Sequence, residues 1–309
     1  MQRRPLGKLE VSVVGLGGNT FGSTYFANAI DASGTRAVVD AALDAGINFI
    51  DTANSYGDSE EFLGRALEGR RDQVVLATKF GSRGGASAAA IREAVDNSLR
   101  RLRTDHIDLY QLHRPDANVP IDETLSALDQ LVKAGKVIEI GCSNFSVEQL
   151  DEAAAASAAK ELARFASVQN ELSILRSRAT TDVLPACKRL DMAFIPYSPL
   201  VGGLLTGKYR RGEPPAADTR LASFSAEQVE RSLSDRNFDR VDRLEAFASE
   251  RGHSLIELAF GWLLAQPQVV SVIAGATRPD QVRSNAAAAG WALTADEAAE
   301  ATAQVEARS

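Results

Sequence analysis

Four residues with versatile side chains stand at or just after the ends of apolar runs in this chain: Asp51, Tyr56, Lys79 and His113. Asp51 closes the run in "INFID", and Tyr56 follows five residues later beside Gly57. Lys79 closes "VVLATK" and His113 closes "DLYQLH". A phenol has an unperturbed pKa near ~10, too high for easy loss and recovery of a proton at neutral pH. An ammonium beside a phenol favours its ionised form, and a carboxylate keeps that ammonium charged and in place. A histidine supplies a hydrogen bond to the oxygen being protonated. The four together predict a proton-delivery unit aimed at a carbonyl, with Tyr56 as the acid. Taken singly, each has an ordinary use: Asp51 and Asn144 as helix caps, Lys79 as a solvated surface residue, His113 as a core histidine, Tyr197 as packing. Those uses do not explain why six run ends turn polar together: Asp51, Lys79, His113, Ser143-Asn144, Gln169-Asn170 and Tyr197-Ser198. Such a cluster costs stability unless its members pair with each other or with a ligand.

The elements that must position these residues repeat one pattern. Apolar runs occur at Val13–Leu16, Ile47–Ile50, Val74–Ala77, Ile107–Leu112, Val137–Gly141, Ala166–Val168, Phe194–Ile195 and Val269–Ile273. Between them lie helix-like stretches such as "TRAVVDAALDAG", "SEEFLGRALEGR", "AAIREAVDNSLRRL" and "DETLSALDQLVKAG". In the first, Ala37, Val38, Ala41, Ala42 and Ala45 fall at helical spacing on one face. Gly46 and Gly135 sit where a helix end favours a left-handed residue. "PLGKLEVSV" reads as an N-terminal hairpin turning at Gly7-Lys8, and a last helix begins near Thr294. Eight strand–helix units with right-handed crossovers predict an α/β fold, a (β/α)8 TIM barrel of one domain over 1–309. "GLGGNTFG" misses the G-x-G-x-x-G spacing, so the rival doubly wound fold lacks its dinucleotide fingerprint. Residues 202–237 read as a long irregular loop or lid after the seventh strand.

Composition sets outer bounds. The 309 residues are 45% hydrophobic and 24% charged, and 34 basic against 41 acidic residues give a net charge of −7. That balance argues against a nucleic-acid partner. Cys142 and Cys187 make neither a disulfide framework nor a metal spacing, which suits a reducing cytoplasm. "MQRRPLGKLE" has no apolar segment of a secretory signal, and no apolar run approaches the ~18 residues of a membrane helix. The three histidines, His106, His113 and His253, share no metal-ligand spacing, so no metal is expected. A monomer or weak homo-oligomer is the expectation for assembly.

The residues resemble those of the aldo-keto reductases. The resemblance runs the length of the chain through "GLGGNTFG", "INFIDTANSYG", "ATKFG", "YQLHRPD", "VKAGKVIEIGCSNF", "VQNELS", "IPYSPLVGGLLTGKY" and "SVIAGATRPDQV". It implies a barrel that binds NADPH (NADP+) without a Rossmann domain and reduces small aldehydes or ketones. It implies a tetrad of Asp51, Tyr56, Lys79 and His113. It implies nicotinamide contacts at Asp51, Ser143, Asn144, Gln169 and Tyr197, with Gly18, Asn19 and Thr20 on the same rim. The pyrophosphate would meet Ser198, Pro199, Leu200, Gly202, Leu204 and Lys208, and the adenosine end Gly275, Thr277, Arg278, Gln281 and Asn285. "TRPDQ" adds a physical argument, with Thr277 at the N-cap and Pro279 at an early helical position, leaving N–H groups for an anion. The Arg278 fork suits a 2′-phosphate and so favours NADPH over NADH. Glu139 and Ala274 depart from common residues of the family. Phe21, Tyr25 and Phe26 are either mouth-lining or packing residues.

Two other function classes compete. Some relatives serve as channel-associated subunits that hold cofactor and turn over slowly. A Schiff-base lyase would use Lys79 as its nucleophile, which needs a depressed lysine pKa. A metal-dependent hydrolase fits least.

Overall fold

The computed structural model describes residues 1–82 and 85–307; residues 83, 84, 308 and 309 of the expected 1–309 unit lie outside it. Strands β1 (Arg3–Leu6) and β2 (Leu9–Ser12) form an antiparallel hairpin whose register, Leu6 opposite Leu9, leaves Gly7-Lys8 as the turn. Gly7 has φ +57°, a left-handed value that suits glycine. Eight parallel strands follow: β3 (Val14–Gly17), β4 (Phe49–Asp51), β5 (Val75–Phe80), β6 (Ile107–Leu112), β7 (Val137–Ser143), β8 (Ser167–Glu171), β9 (Ala193–Tyr197) and β10 (Val272–Gly275). They lie in the order β10-β3-β4-β5-β6-β7-β8-β9. The remaining seam is bridged where Phe194 N–H donates to the Gln268 carbonyl at 2.7 Å and Val270 N–H to the Phe194 carbonyl at 3.1 Å. The result is the expected TIM-like barrel, nearly closed.

Helices α1 (Ala32–Asp44), α2 (Ser59–Ala66), α3 (Ala88–Leu102), α4 (Ile121–Lys133), α5 (Val147–Lys160) and α6 (Val183–Leu190) alternate with β3 to β9. Helices α7 (Ala226–Ser232), α8 (Asp235–Ser249) and α9 (Leu255–Leu264) separate β9 from β10, and α10 (Pro279–Ala288) and α11 (Ala295–Glu306) end the chain. Local chemistry sets their ends. Ser146, Ser254 and Thr294 each close a capping box with a Gln or Glu three residues on, and Gly46 and Gly135 take φ +78° and +73° after α1 and α4. The buried face of α1 differs from expectation. Val38, Ala41 and Ala42 are buried, but Thr35 and Val39 complete the face, while Ala37 is exposed and Ala45 only half-buried. The buried face therefore takes in both Val38 and Val39, β-branched residues that fill more volume than alanine. Among the described residues no helix is long and apolar enough to cross a membrane.

Period-two alternation sorts the strand residues into two cores. Ile50, Leu76, Tyr110 and Phe194 face the helices. Phe49, Ala77, Leu109 and Ile195 form a separate cluster with Leu6, Leu9 and Val11 of the hairpin, so the hairpin plugs one end of the barrel interior. Each such fully buried apolar side chain contributes roughly 1.5–3 kcal/mol. Two residues beyond each inward residue comes a polar one: Asp51, Lys79, Gln111 and Tyr197. The strands therefore end, on their inner faces, in a polar layer above an apolar one.

Residues 202–237 are more structured than a loop. Short 3-10 turns cover Val201–Thr206 and Arg220–Ser223, then α7 and the first turn of α8 follow. The irregular part narrows to 207–219. It is tied down where Arg211 reaches Asp235, Asp239 and Asp242 on α8 and where the Tyr209 hydroxyl donates to the Gly202 carbonyl at 2.9 Å.

Candidate active site

The polar layer is joined by direct contacts. Lys79 is fully buried, its Nζ 2.5 Å from Asp51 Oδ2 and 2.9 Å from the Thr52 carbonyl. The other Asp51 oxygen, Oδ1, accepts from Gln111 Nε2 and Gln169 Nε2, each at 3.1 Å. A carboxylate that is 3% exposed is thus met by one cation and two amides, and caps no helix. Burial pushes the Lys79 ammonium pKa down, but the attraction of Asp51 and Tyr56 outweighs it, so the net direction is upward. Tyr56 is held in a turn beyond β4 whose Asn54 N–H donates to the Lys79 carbonyl at 3.0 Å. Its ring centroid lies 5.3 Å from Lys79 Nζ and 5.7 Å from the His113 ring, edge to face. Gly57, φ +58°, lets this turn pass the β3 loop: a Cβ there would stand 2.5 Å from the Gly22 carbonyl oxygen.

His113 follows β6, its N–H bonded to the Phe80 carbonyl at 2.8 Å. Burial, with the charges of Lys79 and Arg114, lowers its pKa to about 3, so the imidazole is neutral at ordinary pH. Its Nδ1 is buried without a partner among the described residues. Asn144, in the left-handed region at φ +63°, donates to the His113 carbonyl at 2.9 Å and to Ser143 Oγ at 3.0 Å, and accepts from the Tyr197 hydroxyl at 2.8 Å. Ser143 Oγ donates to the Gln169 carbonyl at 2.7 Å. Ser198 also adopts a positive φ, +56°, where β9 turns into the segment that follows it.

These residues open onto a cavity of about 660 Å³. Asp51, Tyr56, His113, Ser143, Asn144, Gln169 and Tyr197 form its floor and near wall, with Gly18, Asn19 and Thr20 beside them. Ser198, Pro199, Leu200, Gly202 and Lys208 line the side that follows β9, and Gly275, Thr277, Arg278, Gln281 and Asn285 the side that follows β10. Lys79 lies behind the wall. Leu204 does not reach the cavity; it is 1% exposed and packs in the outer core, because the turn at Gly202-Gly203 rolls it inward. The N-cap of α10 is Arg278 rather than Thr277, with Pro279 at the first helical position. Thr277 instead gives both its N–H (2.8 Å) and its hydroxyl (3.2 Å) to Gln281 Oε1. Arg278 pairs with Asp280 at 3.2 Å. Of the three early aromatics only Phe26 lines the cavity; Phe21 is core and Tyr25 is 60% exposed on the outside. Glu139 accepts from Lys8 N–H at 2.9 Å, at the hairpin end of the barrel.

Among the cavity-related residues that escaped the sequence reading are Gln111, Arg220 and Arg114. Gln111 is fully buried, and its signal is readable: a polar residue sharing the inward parity of Leu109 inside an apolar strand. Gly141 makes room for it, since a Cβ there would stand 3.2 Å from Gln111 Cγ. Arg220 comes from the short turn Arg220–Ser223, donating to Asn19 Oδ1 at 3.1 Å with its guanidinium 4.1 Å from the Phe26 ring centroid. Burial lowers its pKa. Arg114 stands beside His113 on the wall. Nothing in local sequence distinguishes these two arginines from solvated ones.

A neutral imidazole, a phenol and a buried cation–carboxylate pair can move one proton to an oxygen placed between Tyr56 and His113. The chain resembles known proteins throughout. A model of the aldo/keto reductase family matches residues 13–306. The aldo-keto reductase YhdN of Bacillus subtilis is 36% identical over 304 residues, 94% of this chain and 88% of the relative. A probable voltage-gated potassium channel subunit beta of Oryza sativa subsp. japonica is 36% identical over 299 residues, 92% and 90% of the two chains. The L-glyceraldehyde 3-phosphate reductase of Escherichia coli (strain K12) is 30% identical over 311 residues, 92% and 86%.

Proposed function

This chain belongs to the aldo/keto reductase family, and on that premise we propose that it is a cytoplasmic NADPH-dependent oxidoreductase that reduces aldehyde or ketone carbonyls to alcohols. The observation that carries the reading is Lys79: fully buried, ion-paired to Asp51 at 2.5 Å and 5.3 Å from the centre of the Tyr56 ring. Tyr56 gives its proton to the carbonyl oxygen. Lys79 stabilises the phenolate left behind, and Asp51 holds Lys79 charged while Gln111 and Gln169 hold Asp51. His113, neutral, donates one N–H to the same oxygen and thereby orients the carbonyl.

The cavity fits a nicotinamide dinucleotide. Thr20 Oγ1, Asn28 Oδ1 and His113 Nδ1 are buried on or beside its wall with no partner among the described residues, as expected of groups reserved for a ligand. Gln169 spends its amide N–H on Asp51, which leaves its oxygen, with Ser143 and Asn144, for the carboxamide. The Tyr197 ring would lie against the nicotinamide, Ser198 to Lys208 near the pyrophosphate, and Gly275 to Asn285 at the adenosine end. Bound so, the reduced cofactor supplies the hydride. Lys208, partly desolvated against Gly203 and Tyr209, has its pKa lowered by burial, and a phosphate would offset that cost. Arg278, adjacent, favours the 2′-phosphate of NADPH.

The relatives named as probable channel beta subunits keep one second reading in view, a cofactor-holding subunit with slow turnover. The lyase reading loses support, because Lys79 is buried and its pKa raised rather than depressed. A panel of aldehydes and ketones with NADPH, followed by loss of nicotinamide absorbance, separates the readings. Reductase predicts multiple turnovers on some members. A single stoichiometric oxidation across the panel would favour the subunit.

A further inference from the structure

Arg114 lines the cavity next to His113 and Tyr197, yet nothing among the described residues neutralises it. Its backbone is held rigidly, since the preceding residue bonds to the Phe80 carbonyl through its N–H and to Asn144 through its carbonyl. The neighbouring acid is turned elsewhere: Asp116 accepts the backbone N–H groups of Gly85, Ala86 and Asn118 at 2.9, 3.3 and 3.0 Å. Of the other cations near the cavity, Lys208, on the far side beside Gly203, meets the Tyr209 ring, and the arginines have partners. Arg176, whose charge also reaches Tyr197, is paired with Glu171. Arg278 is paired with Asp280, and Arg220 is held by Asn19 and Phe26. The Arg114 charge adds to the burial that lowers the His113 pKa and opposes the burial that raises the Tyr197 pKa, so it is felt at both residues flanking the cavity wall.

A cation left unpaired at the mouth of a site, while its acidic neighbour is engaged with backbone, is placed to meet charge carried in by the ligand. We propose that Arg114 anchors a carboxylate or phosphate on the substrate, so that the preferred carbonyl compounds are small aldehydes or ketones bearing an anionic group away from the carbonyl. The proposal rests on the reductase reading for its chemistry. The guanidinium offers a planar fork matched to either anion, which a lysine would not reproduce. Because Arg114 is exposed, salt should screen the attraction over a length of roughly 8 Å at physiological ionic strength.

The test compares 4-carboxybenzaldehyde with its neutral methyl ester, and glyceraldehyde 3-phosphate with glyceraldehyde, in the parent enzyme and in Arg114→Gln. The anionic member of at least one pair should be preferred by the parent. Arg114→Gln should lower kcat/KM for that member about tenfold, mainly through KM, and leave the neutral member within about twofold. The parent's preference should shrink with added salt and that of the variant should not, a response that a merely structural role would not produce. The pair that responds tells carboxylate from phosphate. Equal losses on charged and neutral members, or no anion preference in the parent, would overturn the proposal while leaving the reductase reading intact. If no aldehyde is reduced, that reading fails instead, and calorimetry of terephthalate against its monomethyl ester on the NADP+-loaded protein decides the anchor alone. Weaker terephthalate binding to Arg114→Gln supports it, and unchanged binding overturns it.

Discussion

The Ser12–Asn48 pair at the hairpin end and the groups around Asp51 at the cavity end meet their buried polar atoms differently. At the hairpin end, Asn48 and Ser12 satisfy each other. Ser12 N–H donates to Asn48 Oδ1 at 2.7 Å, Asn48 Nδ2 to the Glu10 carbonyl at 2.9 Å, and Asn48 N–H to Ser12 Oγ at 3.0 Å. Ser12 Oγ in turn donates to the Val14 carbonyl at 2.7 Å. At the cavity end, both Asp51 oxygens are met by Lys79, Gln111 and Gln169, but Gln111 Oε1, Thr20 Oγ1 and His113 Nδ1 have no partner among the described residues. The Ser12–Asn48 pair closes its hydrogen bonds within the chain and so favours stability. The cavity end leaves some open, a loss of stability that a ligand would offset. The contrast is testable because it assigns activity to one end and folding to the other.

The sharpest break should come at the cavity end. Tyr56→Phe and Lys79→Met should each lower the hydride-transfer rate by about a thousandfold or more, with NADPH binding nearly intact for Tyr56→Phe. Asp51→Asn should lower it less. In the Asp51→Asn/Lys79→Met double variant the losses should fall well short of multiplicative, since the residues act as a unit. Stopped-flow measurement of that step decides it, and fully multiplicative losses would mean that Asp51 and Lys79 act independently.

Acid should expose the same end next. An imidazole whose native pKa is near 3 stays neutral, while the unfolded chain protonates near ~6.5. The unfolded state then binds more protons below pH ~6.5, so stability is full above that value and is lost as pH falls toward 3. The loss is on the order of a few kcal/mol, reduced by the partial exposure of the ring. Denaturant titrations at pH 7 and 4.5 should show a smaller acid loss in His113→Asn than in the parent.

At the hairpin end, Asn48→Ala should cost about 2 kcal/mol of stability by stranding the Ser12 N–H, with kcat within about twofold. A large loss of kcat at unchanged stability would dissolve the distinction between the ends. The smallest effect should be at the exposed far wall. Arg278→Ala should weaken NADPH about tenfold and NADH little, since Arg278 already spends part of its charge on Asp280. Equal losses for both cofactors would make it a surface residue.

Much of this was legible in the chain itself. The eight strands, the hairpin and the capped helices follow from period-two and period-3.6 patterning and from Ser, Thr and Gly at element ends, which are local properties. The alignment of Asp51, Lys79 and Tyr197 on one inner rim also follows, because each ends a strand and a parallel barrel brings strand ends together. Tertiary structure decided the rest. Gln111 becomes a partner of Asp51 only because β6 lies beside β5 in a register that sets it opposite Lys79. Leu204 turns into the core because Gly202 and Gly203 both take positive φ, and Arg220 meets Asn19 across 201 residues of sequence. Whether Arg114 is paired or free depends on where the Asp116 carboxylate points. Periodicity fixes which face a residue occupies, whereas the partner it finds there is set by neighbours distant in sequence, whose positions exist only once the barrel has formed.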